Sequence, residues 1–192
     1  MENKKNKKWG NIINVLLIVF AGLMLFVPSA KALVLTALIN IGILSPKQPI
    51  EQPLVLSEAI TYRNSKGQNF NLESQKGKVI FINFWATWCP PCIAEMPYIQ
   101  KLYDQFKSNE NIVFITIDAD NKLRKAENFL AKRKMDLPVY NITSSIPDYI
   151  FDGTLPTTVV IDKQNRIVYR GTGAADYSNK KFVSMMQKLA SE

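Results

Sequence analysis

The chain of 192 residues is long enough for one globular domain of ordinary size and about forty residues more. Hydrophobic residues make up 47% of it and charged residues 21%, which excludes a disordered or low-complexity protein. The sequence contains no histidine, which excludes zinc fingers, histidine-ligated haem and Ser-His-Asp catalysis. Its only two cysteines, Cys89 and Cys92, exclude a scaffold built on several disulfides.

The net charge of +8 is divided between two regions of different character. Residues 1–44 contain five lysines and one glutamate, and the remainder contains 19 basic and 15 acidic side chains, so each region carries +4. The signs are mixed in the second region, where Lys132-Arg133-Lys134 is the longest basic run. A solvated helix end explains this run better than a phosphate-binding surface, so we expect no nucleic-acid partner.

The N-terminal region, residues 1–44, predicts a membrane anchor. Four lysines precede the stretch Trp9–Val27, in which only two residues, both asparagines, are strongly polar. As a helix this stretch would be about 28 Å long, close to the thickness of a bilayer core. A basic flank keeps the N-terminus in the cytoplasm. We therefore expect a single-pass protein of the bacterial cytoplasmic membrane whose folded domain lies outside, in the periplasm or beyond.

A cleavable signal peptide is the alternative interpretation. Val15–Val27 has the length of an apolar signal core, and Ala30-Lys31-Ala32 has the small-x-small form of a cleavage site. Cleavage there would leave an apolar start at 33–44, which is too short to cross a bilayer and suits the membrane interface. We favour the uncleaved anchor, and both interpretations place the folded part outside the cytoplasm.

The rest of the chain predicts a linker and one α/β domain. Residues 45–53 contain three prolines and predict a stiff linker, after which the domain spans 54–192. The first predicted elements are a hairpin of 59–63 and 68–71, a buried strand at 78–85 and a helix to about 107. They are followed by a strand at 112–118, a helix at about 122–134 and a strand near 139. The last are a hairpin of 157–162 and 166–170, and a helix from 179 with Phe182, Met186 and Leu189 on one face. This order predicts a sandwich with a mixed sheet.

The cysteine pair lies where the buried strand ends and a helix begins. Helical geometry brings the sulfurs of a Cys-x-x-Cys step close enough to bond, and Cys89 at the helix N-terminus faces unpaired N–H groups that stabilise a thiolate. A purely structural disulfide across so short a loop would add little stability. A metal site would lack further suitable ligands. The pattern therefore favours redox chemistry.

The residues around the pair also carry a resemblance to a known family. Phe84–Cys92 (Phe-Trp-Ala-Thr-Trp-Cys-Pro-Pro-Cys) resembles the active-site signature of the thioredoxin superfamily. Trp88–Pro97 (Trp-Cys-Pro-Pro-Cys-Ile-Ala-Glu-Met-Pro) resembles its membrane-anchored TlpA/ResA-like branch, which reduces disulfides outside the cytoplasm. The resemblance continues through Leu155–Thr158 and covers roughly residues 54–190. It implies a thioredoxin-like sandwich, a central mixed sheet flanked by helices, here joined to an N-terminal transmembrane helix.

The resemblance implies a role for each matching residue. Cys89 would be the exposed nucleophile and Cys92 the buried resolving thiol. Pro156 would be a cis-proline beside the disulfide, with the backbone of Leu155 pairing to a substrate peptide. From the residues alone, an ordinary trans proline at a strand entry fits Pro156 equally well. Trp88 would shape the rim of the substrate site, and a partly buried structural tryptophan is the alternative.

Glu95 completes the set of candidate catalytic residues. Cytoplasmic thioredoxins carry a buried aspartate where this chain has Asn83, which cannot take up a proton. In the TlpA/ResA-like branch a glutamate six residues after the first cysteine occupies that site, and Glu95 matches it. Its carboxylate would disfavour a thiolate by charge repulsion and could relay a proton. A surface glutamate in the first turns of a helix is the alternative.

These residues predict a membrane-tethered thiol–disulfide oxidoreductase that reduces protein disulfides by exchange through Cys89 and Cys92. No metal or organic cofactor is needed. A membrane electron donor, such as a transmembrane thiol reductase, would recharge the oxidised pair. A non-catalytic thiol- or peptide-binding module and a thiol peroxidase are the alternative functions.

Overall fold

The computed structural model describes residues 3–46, 50, 53–57 and 59–192. The helices are α1 (Asn3–Phe26), α2 (Pro28–Asn40), α3 (Pro90–Phe106), α4 (Leu123–Lys132) and α5 (Lys180–Ser191), with a 3₁₀ turn at Leu72–Gln75. The strands are β1 (Leu54–Val55), β2 (Thr61–Arg63), β3 (Asn69–Asn71), β4 (Val79–Trp85), β5 (Ile112–Asp118), β6 (Val139–Ile142), β7 (Thr157–Ile161) and β8 (Arg166–Thr172).

The strands form one mixed sheet in the order β1-β8-β7-β4-β5-β6-β2-β3. Strands β4, β5 and β6 are parallel, and the remaining neighbours pair antiparallel. All seven residues of the inner strand β4 are buried, as expected of a nearly continuous apolar run covered on both faces. The predicted α/β sandwich with a mixed sheet is confirmed.

Alternate residues of β4 belong to two separate cores. Phe81 and Trp85 pack in the core that α3, α4 and α5 share, whereas Ile82 and Phe84 pack in the second core with Ile150. The chain passes from β4 to β5 to β6 in one direction across the sheet. Right-handed crossovers therefore place α3 and α4 on the same face. The cysteine-bearing helix α3 thus lies against the face of β4 that carries its odd-numbered residues.

The structure agrees with the predicted elements of the domain in type and order. Strand β5 has the predicted bounds, and the two predicted hairpins are β2–β3 and β7–β8. On α5, Phe182 and Met186 are buried and Leu189 packs against the same core, as a common face predicts, and Ala190 is buried as well. The sequence does not predict β1, because two residues are too few to show a strand period.

Helix α2 packs on the cysteine-bearing helix α3. Ala32 and Ile39 of α2 are buried in one cluster with Ala94 and Tyr98 of α3, and the Tyr98 hydroxyl donates to Asn40 Oδ1 at 2.7 Å. The sequence predicts that 33–44 lies outside the globular domain, whereas this packing joins α2 to α3. Contact between this segment and a membrane interface stays a prediction.

Two other N-terminal predictions are not confirmed. Among the helices of the described residues, α1 included, none has both the length and the apolar character needed to cross a membrane, so the transmembrane helix predicted at Trp9–Val27 is not found. Most of the predicted linker at 45–53 lies outside the described residues, which within it include only 45, 46, 50 and 53.

Candidate active site

The cysteine pair lies at the carboxyl end of β4 and opens α3. Cys89 is the N-cap residue of α3, and its Sγ accepts the backbone N–H of Cys92 at 3.2 Å. Pro90 is the first helical residue, a position whose N–H has no partner within a helix, so the proline costs no hydrogen bond. The two Sγ atoms are bonded at 2.08 Å. The structure therefore holds the predicted pair in its disulfide form.

The expected difference in exposure between the two cysteines is not found in this disulfide form. Cys89 is 3% exposed and Cys92 is fully buried, and both belong to the apolar cluster that contains Trp85 and Met96. The prediction of an exposed Cys89 is wrong for this oxidised state. The physical reason is that the bond ties the Cys89 sulfur to a sulfur inside the core.

The side chain of Glu95 is buried beneath the helix start. It lies three residues after Cys92 on α3 and is 0% exposed, which rules out the surface glutamate considered above. Asn83 of β4 donates its Nδ2 to Glu95 Oε1 at 2.8 Å and to Thr158 Oγ1 at 2.9 Å. The backbone of Ala175 also forms a hydrogen bond with the carboxyl group. Glu95 is thus held between α3 and strands β4 and β7.

Burial decides the charge state of Glu95. Desolvation raises the pKa of its carboxyl group well above the usual range, and the hydrogen bonds from Asn83 and Ala175 offset this only in part. Its Oε2 has no hydrogen-bond partner among the described residues. Since an uncompensated buried carboxylate is costly, Glu95 keeps its proton to a higher pH than an exposed glutamate does. The charge repulsion expected from the sequence therefore arises only above this raised pKa.

The Leu155–Pro156 peptide bond is cis, as the family resemblance implies. Strands β4 and β7 are antiparallel with Phe84 opposite Thr157, so the start of β7 lies at the end of β4 from which the cysteine loop leaves. Leu155 packs against the core cluster that contains both cysteines. The structure thus brings Leu155 and Pro156 to the cysteine edge of the sheet, while substrate pairing by the Leu155 backbone stays a prediction.

Trp88 forms an exposed rim beside the pair. It is 55% exposed, and its indole Nε1 donates to Asp120 Oδ2 at 2.8 Å. Asp120 follows β5, whose last residue pairs with Trp85 at the end of β4. Sequence reasoning missed Asp120, because only the parallel pairing of these two strands brings the loops after them together.

Sequence reasoning also missed the part played by Asn83 and Thr158. It identified Asn83 only as a residue unable to take up a proton, whereas the amide is the donor that holds Glu95. The odd-numbered position of Asn83 on β4, facing α3 like Phe81 and Trp85, is the signal that could have found this contact. In the described part of the chain, no cluster of three or more Cys, Asp or Glu side chains is arranged to hold a metal ion.

A mixed α/β sheet with a cysteine pair at a helix N-terminus and a cis-proline at the same edge defines the class of thioredoxin-like proteins. The profile of the Redoxin family matches residues 55–184, and the chain belongs to this family. It is a thioredoxin-like thiol–disulfide oxidoreductase of the TlpA/ResA-like group.

Individual relatives agree with this assignment. The thiol-disulfide oxidoreductase ResA of Bacillus cereus is 34% identical over 126 residues, which cover 65% of this chain and 70% of that protein. ResA of Bacillus thuringiensis is 36% identical over 104 residues, which cover 54% of this chain and 60% of that protein. The thioredoxin domain of a thiol-disulfide oxidoreductase from Bacteroides vulgatus superposes with a TM-score of 0.56 at 20% identity, covering 73% of this chain and 99% of that domain. This last likeness supports the fold alone.

Proposed function

We propose that Cys89 and Cys92 carry out the thiol–disulfide exchange, and that the protein reduces protein disulfides outside the cytoplasm. The observation that carries this proposal is the placement of Cys89 Sγ at the N-terminus of α3, where it accepts the Cys92 N–H. Backbone donors and the positive end of the helix dipole stabilise a thiolate, which is the attacking species in exchange. Cys92, inside the first turn and fully buried, is suited to resolve the intermediate.

The proposed reaction conserves electrons and protons. The Cys89 thiolate attacks one sulfur of the substrate disulfide, which forms a mixed disulfide and releases the other substrate sulfur as a thiolate. Cys92 then loses its proton and attacks the Cys89 sulfur, which closes the Cys89–Cys92 disulfide and releases the second substrate sulfur. Two electrons pass from the enzyme dithiol to the substrate.

Glu95 is proposed to exchange a proton with Cys92 during resolution. It is the buried acid on the same helix, one turn further along, and Asn83 fixes its orientation. Proton transfer is most effective when the catalytic pKa lies near the working pH. Burial raises the pKa of the Glu95 carboxyl group from its usual acidic range toward neutral pH. The carboxyl group is therefore suited to this proton transfer.

Single-cysteine variants test the assignment of the two thiols. Cys92→Ser, mixed with a disulfide protein such as insulin, should accumulate a mixed disulfide on Cys89, because attack survives and resolution does not. Cys89→Ser should form no adduct and should not reduce insulin. Mass spectrometry of the trapped species locates the bond. Adducts on Cys92 in Cys89→Ser, with none on Cys89 in Cys92→Ser, would reverse the assignment.

We also propose that the protein resides at the bacterial cytoplasmic membrane, with its N-terminus inside and its domain outside. Six consecutive apolar residues of α1, from Val15 to Phe20, are each at least 54% exposed. Six successive residues cover the whole circumference of a helix, whereas a surface helix of a soluble domain buries one stripe. The lysines that precede them favour a cytoplasmic N-terminus. A transmembrane thiol reductase is the proposed electron donor.

A topology fusion tests this location. Alkaline phosphatase joined after Glu192 should be active in a bacterial host, since the enzyme needs an oxidising compartment to form its disulfides. An inactive fusion in which the chain is intact would overturn the proposed location.

A further inference from the structure

A groove of about 940 Å³ lies next to the cysteine pair. One wall is formed by Thr87 and Trp88, the two residues that directly precede Cys89, and the other by α4 with one residue on either side of it. The groove thus begins at the residue before Cys89.

The lining of this groove is strongly basic. Five of its ten lining residues are cationic and none is acidic; the five are Lys122, Arg124, Lys125, Lys132 and Arg133. All five are exposed. Within the described residues none of them forms a salt bridge, in contrast to Lys107, Arg166 and Arg170 on other surfaces of the domain. Their charge is therefore available to an incoming anionic group.

The acidic residues after β5 do not neutralise this charge by direct pairing. The Asp120 carboxylate accepts the indole N–H of Trp88, and Asp118 is buried and accepts the backbone N–H of Lys122. Both carboxylates hold the rim of the groove in shape. They do not form ion pairs with the cationic side chains.

Aromatic rings give the groove fixed walls. The Arg133 guanidinium stacks on the Phe129 ring at 3.6 Å from its centroid, and Trp88 lines the same groove with its indole fixed by Asp120. A guanidinium already held against a ring has less freedom to lose when it pairs with a carboxylate. The site is thus partly organised before a partner arrives.

The sequence alone does not show this arrangement. It singles out Lys132-Arg133-Lys134 as a solvated helix end, yet Lys132 and Arg133 share a groove with three cationic residues from the opposite end of α4. Helical spacing places Lys125, Phe129 and Lys132 along one face. The charges converge only when this face is set beside the loop that carries Trp88.

We propose that the groove binds an acidic segment of the protein partner that exchanges its disulfide at Cys89. Carboxylates next to the partner's cysteine pair with the groove cations, which steers the encounter and orients the disulfide. A concave site that begins at the residue before Cys89 fits an extended segment of the reacting partner better than a flat layer of anionic lipid. This inference deepens the proposed function and rests on it.

Three synthetic peptides test the inference, each closed by one disulfide and flanked by four glutamates, four glutamines or four lysines. The full chain is reduced beforehand, and the second-order rate constant for single-turnover reduction is measured at low salt. We expect the glutamate peptide to react about tenfold faster than the glutamine peptide, and the lysine peptide to react more slowly than either. In 0.5 M NaCl the rate constants should converge to within about twofold, because salt screens exposed charges.

A charge-matched pair of variants locates the effect. Arg124→Glu/Lys125→Glu should remove or reverse the preference for the glutamate peptide. Lys180→Glu/Lys181→Glu changes the net charge by the same amount in the first turn of α5 and should keep the preference. Both pairs of residues are exposed, and glutamate is favourable in the first turn of a helix, so the variants should fold.

The neutral disulfide of 2-mercaptoethanol separates the possible failures. All three proteins should reduce it at the same rate, and failure of the wild-type chain to reduce it would contradict the proposed function. Equal rates of the wild type on all three peptides, with this control reduced normally, would overturn the acidic-segment proposal alone. Loss of binding to phosphatidylglycerol vesicles in the α4 variant alone, with equal peptide rates, would overturn it in favour of a lipid surface.

Discussion

The two flanks of the cysteine pair differ in burial and in charge. On the inner flank, Asn83, Glu95 and Thr158 are fully buried, and the Asn83 amide donates to both of the others. On the outer flank, Trp88 is exposed, and the α4 groove carries five exposed cationic side chains that form no salt bridge within the described part of the chain. A buried acid can hold a proton away from water but cannot contact a partner protein. An exposed basic groove can contact a partner protein but cannot shield a proton from water. We therefore propose that one helix start serves proton transfer on one side and partner recognition on the other.

The largest expected difference between the two flanks is the loss of stability caused by a change of charge on each of them. Glu95→Lys puts an unpaired cation at a fully buried position and should lower the free energy of unfolding by about 3–5 kcal/mol. Lys125→Glu reverses a charge on the exposed flank and should leave that free energy nearly unchanged. Urea unfolding of the oxidised proteins measures both. Equal losses would mean that the two flanks do not differ in burial as described.

Removal of an amide from each flank is a milder form of the same test. Asn83→Ala deprives Glu95 Oε1 and Thr158 Oγ1 of their shared donor and should cost about 1–3 kcal/mol of unfolding free energy. Asn128→Ala, in the exposed groove, is the matched control and should have little effect. A loss in Asn128→Ala as large as that in Asn83→Ala would contradict the buried network.

The pH dependence of stability tests whether Glu95, on the inner flank, keeps its proton in the folded state. Because the pKa of Glu95 is raised in the folded state, the folded protein binds more protons than the unfolded chain between the two pKa values. Its contribution to stability is therefore complete below the unfolded pKa, near 4.5, and is lost as the pH rises through the folded pKa, by at most about 1.4 kcal/mol for each pH unit.

Urea unfolding of the oxidised wild type and of Glu95→Gln from pH 4 to pH 8 measures this dependence. The disulfide keeps the cysteines from titrating, so the stability difference between the two proteins reports Glu95. We expect the wild type to lose stability relative to Glu95→Gln as the pH rises. A difference that stays constant, or that changes in the opposite direction, would show that Glu95 does not hold its proton in the folded state.

The smallest expected effect concerns the rim of the outer flank. Asp120→Ala frees the Trp88 indole and should raise KM for a protein disulfide about two- to threefold with kcat unchanged, since one exposed hydrogen bond contributes little. Asp120→Asn keeps an acceptor oxygen and should behave like the wild type. A fall in kcat in Asp120→Ala would assign Asp120 to the chemical step instead.

Local sequence patterns were sufficient to predict the type and order of the helices and strands in the domain. Strand β4 is a run of apolar residues, α3 begins at a Cys-Pro-Pro-Cys step, and the hairpins are marked by turn residues. The contacts that shape the site join distant segments: Asn83 meets a threonine 75 residues away, and Trp88 meets an aspartate 32 residues away. Neither contact has a local signal, because sheet pairing brings the partners together.

The exposure of Cys89 and the burial of Glu95 also depend on tertiary contacts that the sequence does not show. Family resemblance located Glu95 by its distance from Cys89, but only the packing of α3 on β4 shows that it is fully buried and how its charge is suppressed. The resemblance likewise suggested an exposed Cys89, whereas the disulfide holds its sulfur against a buried partner. The basic groove could not be predicted from the sequence, because it depends both on the helical face of α4 and on the position of the loop that carries Trp88.

The equilibrium reduction potential of the Cys89–Cys92 pair shows whether the protein acts as a reductant, as proposed. The oxidised and reduced forms of the full chain would be equilibrated with glutathione or dithiothreitol buffers and quantified after thiol alkylation. We expect a potential below about −220 mV, toward the value of about −270 mV for thioredoxin. A potential near −120 mV, as for the oxidant DsbA, would contradict it, because such a pair would donate its disulfide to a partner dithiol rather than reduce a disulfide.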